Sequence, residues 1–418
     1  MIPTRAVAEV VMKPARIRKP RPFGYPRSTM RNVVLRSAFF ALPLVAAAWA
    51  AGCSSSSNED PRPSSPEAGT DSSSLVDTAR PPVDAADAAP RRDCKADQQA
   101  DGLWQHLECA GLYSDFAAKT VSADAKPYTP GVEFWSDGAA KARFLYLPPG
   151  AKIDITDFDE WKLPVGTRVW KEFAVGGKRI ETRMLVKAAA DDWRHTTYRW
   201  NDAETDAVRK DSGEKVPNPA GGSPYEIPST SSCDACHTGK ADQLLGVEAV
   251  SMGLPTAKGI TLATLAADGR FDRTPPVTTI TIPNDQNGTA APALGWLHAN
   301  CGACHGKDGI SGTDLVWRLR VSQLAPDGGA ATVQALDTWT TAVNKASQRP
   351  DFDAGVGAFY LRIAGGSPST SLSSILSGRR VPDNLEPNTT DQMPPLVTRR
   401  VDVAGHKLLD DWITQIPP

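Results

Sequence analysis

Four short runs between positions 142 and 201 set the pattern of this chain: ARFLYL, TRVWKEFA, KRIETRMLVK and DWRHTTYRWN. Each is rich in aromatic and β-branched residues, the composition of a strand. Gly176-Gly177 separates the second run from the third and predicts a hairpin turn. In the third run Ile180, Thr182, Met184 and Val186 share one face, which reads as core packing for Met184. In the fourth, His195 falls on the face opposite Tyr198 and Trp200. More than half of the tryptophans lie between 94 and 230, and we read them as core, with no chemistry assigned.

Towards the C-terminus the period changes. In APALGWLHANC, Leu294, Leu297 and Cys301 recur at helical spacing. The last segment, VDVAGHKLLDDWITQI, reads as an amphipathic helix with Val401, Leu408, Leu409, Trp412 and Ile413 apolar and His406 exposed near its start. The 35 prolines and 33 glycines predict many turns. No run of 18 apolar residues occurs, so no transmembrane helix is expected in the mature chain.

One apolar stretch has a different character. Arg31 and Arg36 precede the apolar run Phe39–Ala51, and the small residues Ala50-Ala51-Gly52 precede Cys53. A positive end, a short apolar core and a small-residue cleavage site mark a secretory signal over residues 1–52. The cysteine that follows resembles the bacterial lipoprotein box, so Cys53 is expected to carry lipid. Residues 1–29 hold seven Lys/Arg and five prolines, which suits no export signal, and Met30 is the expected start. Residues 53–92, Ser/Pro/Asp/Ala-rich, are expected to be a disordered tether. The whole chain has 46 basic and 48 acidic residues. The first 52 hold nine and one of these, leaving 37 and 47, a net of −10. That balance argues against nucleic acid and mildly favours a basic partner.

Export implies an oxidising compartment, and Cys94 and Cys109 are expected to pair. Four of the other cysteines and two of the six histidines form one pattern written twice, CDACH at Cys233–His237 and CGACH at Cys301–His305. A zinc site could use two CxxC pairs, but these lie 68 positions apart and each is followed by a histidine. A dithiol redox site would need a single pair near a βαβ pattern. Covalent c-type haem attachment needs CxxC followed at once by histidine: two thiols reach the porphyrin vinyl groups and the imidazole becomes the proximal iron ligand. Two covalently bound haems c are therefore expected, on Cys233 and Cys236 with His237, and on Cys301 and Cys304 with His305.

The sixth iron ligand separates electron carriers from small-molecule chemistry. Met393, in DQMPPL, is followed by two prolines that stiffen its loop, and is the expected distal ligand of the second haem. For the first haem the order of candidates is His298, then Met252, then His195, with an open iron as the alternative. Met252 follows His237 by 15 residues, roughly 50 Å if extended.

The succession GLYSDFA, PVGTRVWKEF, KRIETRMLV, YRWNDAETDA, CDACH, NCGACH, MPP and LLDDWI resembles a family of exported bacterial dihaem c-type cytochromes over about residues 100–418. The resemblance implies electron transfer. It also implies an α+β multidomain fold: a β-rich module (93–230), a first haem-attachment segment (231–290) and a mostly α-helical cytochrome c-like region with the second haem (291–418). The first attachment segment is short for a complete cytochrome c domain. The function expected is a lipid-anchored carrier on the periplasmic side of a bacterial membrane, the outer one by Ser54, exchanging electrons with redox proteins. The alternatives are a dihaem peroxidase-like enzyme with one open haem, and an electron-transfer subunit of a dehydrogenase complex.

Overall fold

A computed structural model describes residues 92–217, 219, 224–238, 242–307, 309–324, 331–348, 360–382 and 392–418. These all belong to one compact unit. The signal region, Met30, Cys53 and all but the last residue of the tether lie outside the described residues.

Near the start, α1 (Cys94–Asp97) is capped by the Asp93 carboxylate, and Cys94 is joined to Cys109 by a disulfide. Strands β1 (Tyr113–Asp115) and β2 (Thr120–Val121) make a small ribbon. The main sheet is built from β3 (Lys126–Thr129), β4 (Ala140–Tyr146), β5 (Arg168–Val175), β6 (Lys178–Ala189), β7 (Asp192–Trp200) and β8 (Ala207–Arg209). Each strand is antiparallel to the next in sequence. The four aromatic and β-branched runs thus become four adjacent strands. The β5–β6 turn sits on Gly176 and Gly177, both at positive φ, where a side chain would be strained. Strands β9 (Glu214–Val216) and β10 (Tyr225–Ile227) form a second small ribbon. Strand β11 (Lys258–Gly259) adds to the main sheet beside β3, giving seven strands in the order β11-β3-β4-β5-β6-β7-β8.

Side-chain alternation gives the sheet two different faces. Trp170, Met184, Tyr198 and Trp200 point to one side and pack with Leu107 and Leu112 from the N-terminal segment. Val169, Leu185 and Trp193 point to the other side and join the largest core, which runs from Tyr128 to Ile416.

Over this second face lie α2 (Thr230–His237), α3 (Ala249–Gly253), α4 (Leu262–Ala267), α5 (Ala290–Cys301), α6 (Val321–Leu324), α7 (Asp337–Ala342), α8 (Leu372–Ser377) and α9 (Val403–Gln415). Helices α5 and α9 pack together, and Trp296 Nε1 donates to the Asp402 carboxylate at 2.8 Å. The same carboxylate caps α9 by accepting from the Gly405 N–H. A Cβ at Gly405 would sit 1.9 Å from Trp296 Nε1, so the glycine sets how closely the two helices approach.

The expected fold class is overturned. The chain is not a β module followed by a mostly α-helical, cytochrome c-like domain. It is a β-rich fold around one antiparallel sheet, and the C-terminal region contributes short helices to the same core. Between α5 and α9 the described helices run only four to six residues. Gly365-Gly366, Pro368, Gly378 and Pro394-Pro395 interrupt that stretch, and a nucleated helix cannot propagate through such residues. The multidomain division gives way for a related reason: β11 comes from the first haem-attachment segment yet pairs with β3, and one core spans both regions.

Candidate functional site

Helix α2 carries the first CxxCH motif and α5 leads into the second. Ser229 caps α2, accepting from the Ser232 N–H at 3.3 Å. At the other end of α2 the chain folds back so that the Gln243 carbonyl accepts from His237 Nδ1. Gln243 holds φ at 54°, a left-handed conformation rare for a residue with a side chain, at the point where its carbonyl meets the imidazole. That bond assigns the proton to Nδ1 and leaves Nε2 bare, the tautomer of an iron-ligating histidine. His305 is arranged similarly, bonded to the backbone of Leu315 with Nδ1 3.5 Å from Thr313 Oγ1. Burial pushes His237 down to about 3, aided by the charge of Lys171. Burial pushes His305 down to about 4, aided by Arg362. Both imidazoles are therefore neutral at ordinary pH.

The four motif cysteines are free thiols, unlike Cys94 and Cys109. Burial pushes Cys233 up, and burial and then Cys304 push Cys301 up to about 12. Cys236 lies within hydrogen-bonding reach of Cys304, which raises the first thiol and lowers the second. Reactive dithiols and zinc ligands need stabilised thiolates, and three of these four groups are held the other way. Among the described residues no three His, Cys, Asp or Glu side chains converge on a metal-ion position.

Each motif opens into its own cavity. The second, of about 340 Å³, is lined by Cys301, Cys304 and His305, with Met393 also on its wall. Its remaining surface is largely apolar, with Trp296, Leu315, Leu376 and Leu409. Met393 is tied down through its own N–H, which donates to the Leu376 carbonyl at 2.9 Å. Its neighbour Gln392 is fully buried and donates to the carbonyls of Pro394 (3.0 Å) and Thr398 (2.9 Å) while accepting from the Val381 N–H (3.0 Å). Gln392 is a positioning residue that the sequence reading missed. A buried amide in a Met-Pro loop would have been the only signal.

The first cavity, of about 130 Å³, is lined by Cys233, Cys236 and His237 and backed by the main sheet. Of the expected sixth-ligand candidates, His298 lines this cavity, but both its ring nitrogens are bonded. Nδ1 accepts from the Leu319 N–H at 3.0 Å, and Nε2 faces Glu248 at 3.2 Å. Met252 is fully buried in α3 within the main core and lines neither cavity. His195 lines the first cavity from β7, with Nε2 3.3 Å from the Thr230 carbonyl and 3.4 Å from Asp234. Also on this wall are Lys141, Arg143, Lys171 and Arg183, four cations absent from the sequence reading. The alternation Lys141-x-Arg143 was visible in the sequence; their alignment with the other two strands was not.

The two cavities adjoin. Phe134, Cys236, Ala303 and Leu396 line both. The donor sets fit two haems c at the attachment positions: two thiols and a neutral, hydrogen-bonded imidazole at each, and in the second cavity a thioether as well. Comparison with the profiles of known protein families, with curated proteins and with solved structures finds no match for this chain.

Proposed function

We propose that this protein is a dihaem c-type cytochrome that passes electrons between redox proteins. The observation that carries the reading is the meeting of two CxxCH motifs, each with its imidazole buried and hydrogen-bonded and with its own cavity, at the Cys236–Cys304 contact. A haem at each motif would supply reversible one-electron exchange at iron.

The chain's own residues do the rest. Cys233, Cys236, Cys301 and Cys304 would form the thioether links. His237 and His305, bonded to the backbone of Gln243 and of Leu315, would be the histidine ligands. Met393, held by the Leu376 carbonyl in the loop that Gln392 braces, would offer its sulfur to the second haem. Cys236 and Cys304, the second cysteine of each motif, are in contact, so haems attached there would be close enough to exchange electrons. The export signal and Cys53 support a lipid-anchored protein on the periplasmic face of a bacterial membrane. Among the described residues no helix is long and apolar enough to cross a membrane. The acidic mature chain supports a basic protein partner over nucleic acid.

The test is production in a host competent for cytochrome maturation, followed by intact mass and a reduced-minus-oxidised spectrum. Two covalent haems with low-spin spectra and slow carbon monoxide binding are expected. A colourless chain bridged through Cys236 and Cys304 would overturn the reading, and fast carbon monoxide binding or peroxide turnover would replace the carrier by an enzyme.

A further inference from the structure

Three cations stand in one line across the main sheet. Strand β4 places Arg143 opposite Lys171 of β5, and β5 places Lys171 opposite Arg183 of β6. Directly opposed residues on one face lie about 5 Å apart, and like charges there repel. Lys141, two positions before Arg143, adds a fourth cation to the same face. All four line the first cavity beside Cys233 and His237.

The carboxylates at hand do not balance them. Glu181 takes both guanidinium contacts of Arg183, at 2.9 and 2.5 Å. Glu133 lies 2.8 Å from Arg143 Nη1 and 4.0 Å from Lys141 Nζ. Arg143 is only 6% exposed, so its charge is held away from water. Lys171 Nζ reaches only the Leu245 carbonyl, at 3.4 Å, with no carboxylate in ion-pair range among the described residues. Burial, and then the charges of Arg143, Arg183 and Lys141, push its ammonium down to about 7. The acids on the cavity wall serve other groups. Asp137 accepts from the Arg399 and Arg400 N–H groups, Glu226 pairs with Arg399, and Glu248 caps α3 and meets His298.

Four cations against two carboxylates on a half-enclosed wall make a concentrated positive field, unfavourable alone and relieved when an anion enters. We propose that Arg143, Lys171 and Arg183, with Lys141, form an anion-binding wall that takes a carboxylate or small oxyanion beside His237. The wall rests on strand register and on the cavity, and it does not need the haem. The proposed function decides only the source of the anion: the propionate carboxylates of the first haem, or a diffusible oxyanion.

The experiment compares wild-type protein, matured for haem attachment, with Lys171→Met and Lys171→Arg, the latter keeping the charge. Calorimetric titration with inorganic phosphate and with nitrite probes the diffusible source. Binding that weakens tenfold or more in Lys171→Met and survives in Lys171→Arg supports the wall and assigns it to a free anion. Where wild type binds neither anion, the potential of each haem is followed against pH. A propionate that loses its counter-ion holds its proton more tightly. In that case one haem's potential falls in Lys171→Met and its pH-dependent step moves to higher pH, with wild-type behaviour in Lys171→Arg. Absence of anion binding together with unchanged pH profiles overturns the proposal. A colourless preparation would sink the haem reading alone, and the anion titration would then decide the wall by itself.

Discussion

The two cavities begin from the same five-residue pattern and are finished by different parts of the molecule. The second is closed by α5, α8, α9 and the Met-Pro loop, which give it apolar walls and one thioether. Among the described residues its one buried cation, Arg362, is already paired with Asp314 and the Thr341 carbonyl. The first is closed by the sheet, which gives it a row of cations and His195, and by α5, whose His298 has both ring nitrogens bonded elsewhere. A covalent motif fixes where a cofactor is attached, but the wall facing it sets charge, ligation and access. The difference teaches that two identical motifs in one chain need not do the same work.

The comparison breaks most visibly at the cysteines. Replacing Cys301 and Cys304 together by Ala should remove half of the covalent haem, and the same change at Cys233 and Cys236 should remove the other half, read by intact mass and by haem absorbance per protein. If either double variant keeps both haems, the two-site account fails.

The methionines sharpen it next. Met393→Ala should abolish the far-red methionine–iron band and lower one haem potential, leaving the other in place. Met252→Ala should leave the spectrum alone and cost about 2–5 kcal/mol in a denaturant titration, since a fully buried side chain leaves a cavity. A spectral change in the Met252 variant would reassign the first haem's ligand.

Gln392→Ala is expected to cost about 1–3 kcal/mol by leaving buried backbone groups unpaired, and to weaken the far-red band without removing it. An intact band with unchanged stability would deny that Gln392 positions the loop.

The most gradual effect is that of pH on the haem-free chain. His237 and His305 fall from an ordinary value of 6.5 to about 3 and about 4. Between those limits the unfolded chain binds more protons than the folded one. Stability should therefore decline as pH falls through 6.5, by about 1.4 kcal/mol per pH unit for each imidazole. The decline should end near pH 4 for His305 and near pH 3 for His237. Stability curves that stay flat from pH 6.5 to 5 would show that the imidazoles are not buried as neutral groups.

Local pattern carried far where a feature depends on neighbours in sequence. Alternation in KRIETRMLVK and DWRHTTYRWN placed Met184 and Trp200 in a core, and Gly176-Gly177 marked the hairpin. Helical spacing marked α5 and α9, but the mostly α-helical region that the resemblance implied for 291–418 does not form between them. Chain rich in Gly, Pro and Ser forms short turns there, and its apolar residues join a core dominated by the sheet.

What the sequence determined alone was the strands and the two CxxCH patterns on which the proposed haem attachment rests, because both are written in residues a few positions apart. Thiol, thiol and imidazole in CxxCH meet by covalent spacing, and a strand's two faces follow from a period of two. What only the tertiary structure decided was which groups face one another across that spacing. Cys236 meets Cys304, Arg143 aligns with Lys171 and Arg183, Met252 turns into the core, and His298 gives both nitrogens to its neighbours. Register and burial come from packing summed over the whole chain, and no short stretch of it records them.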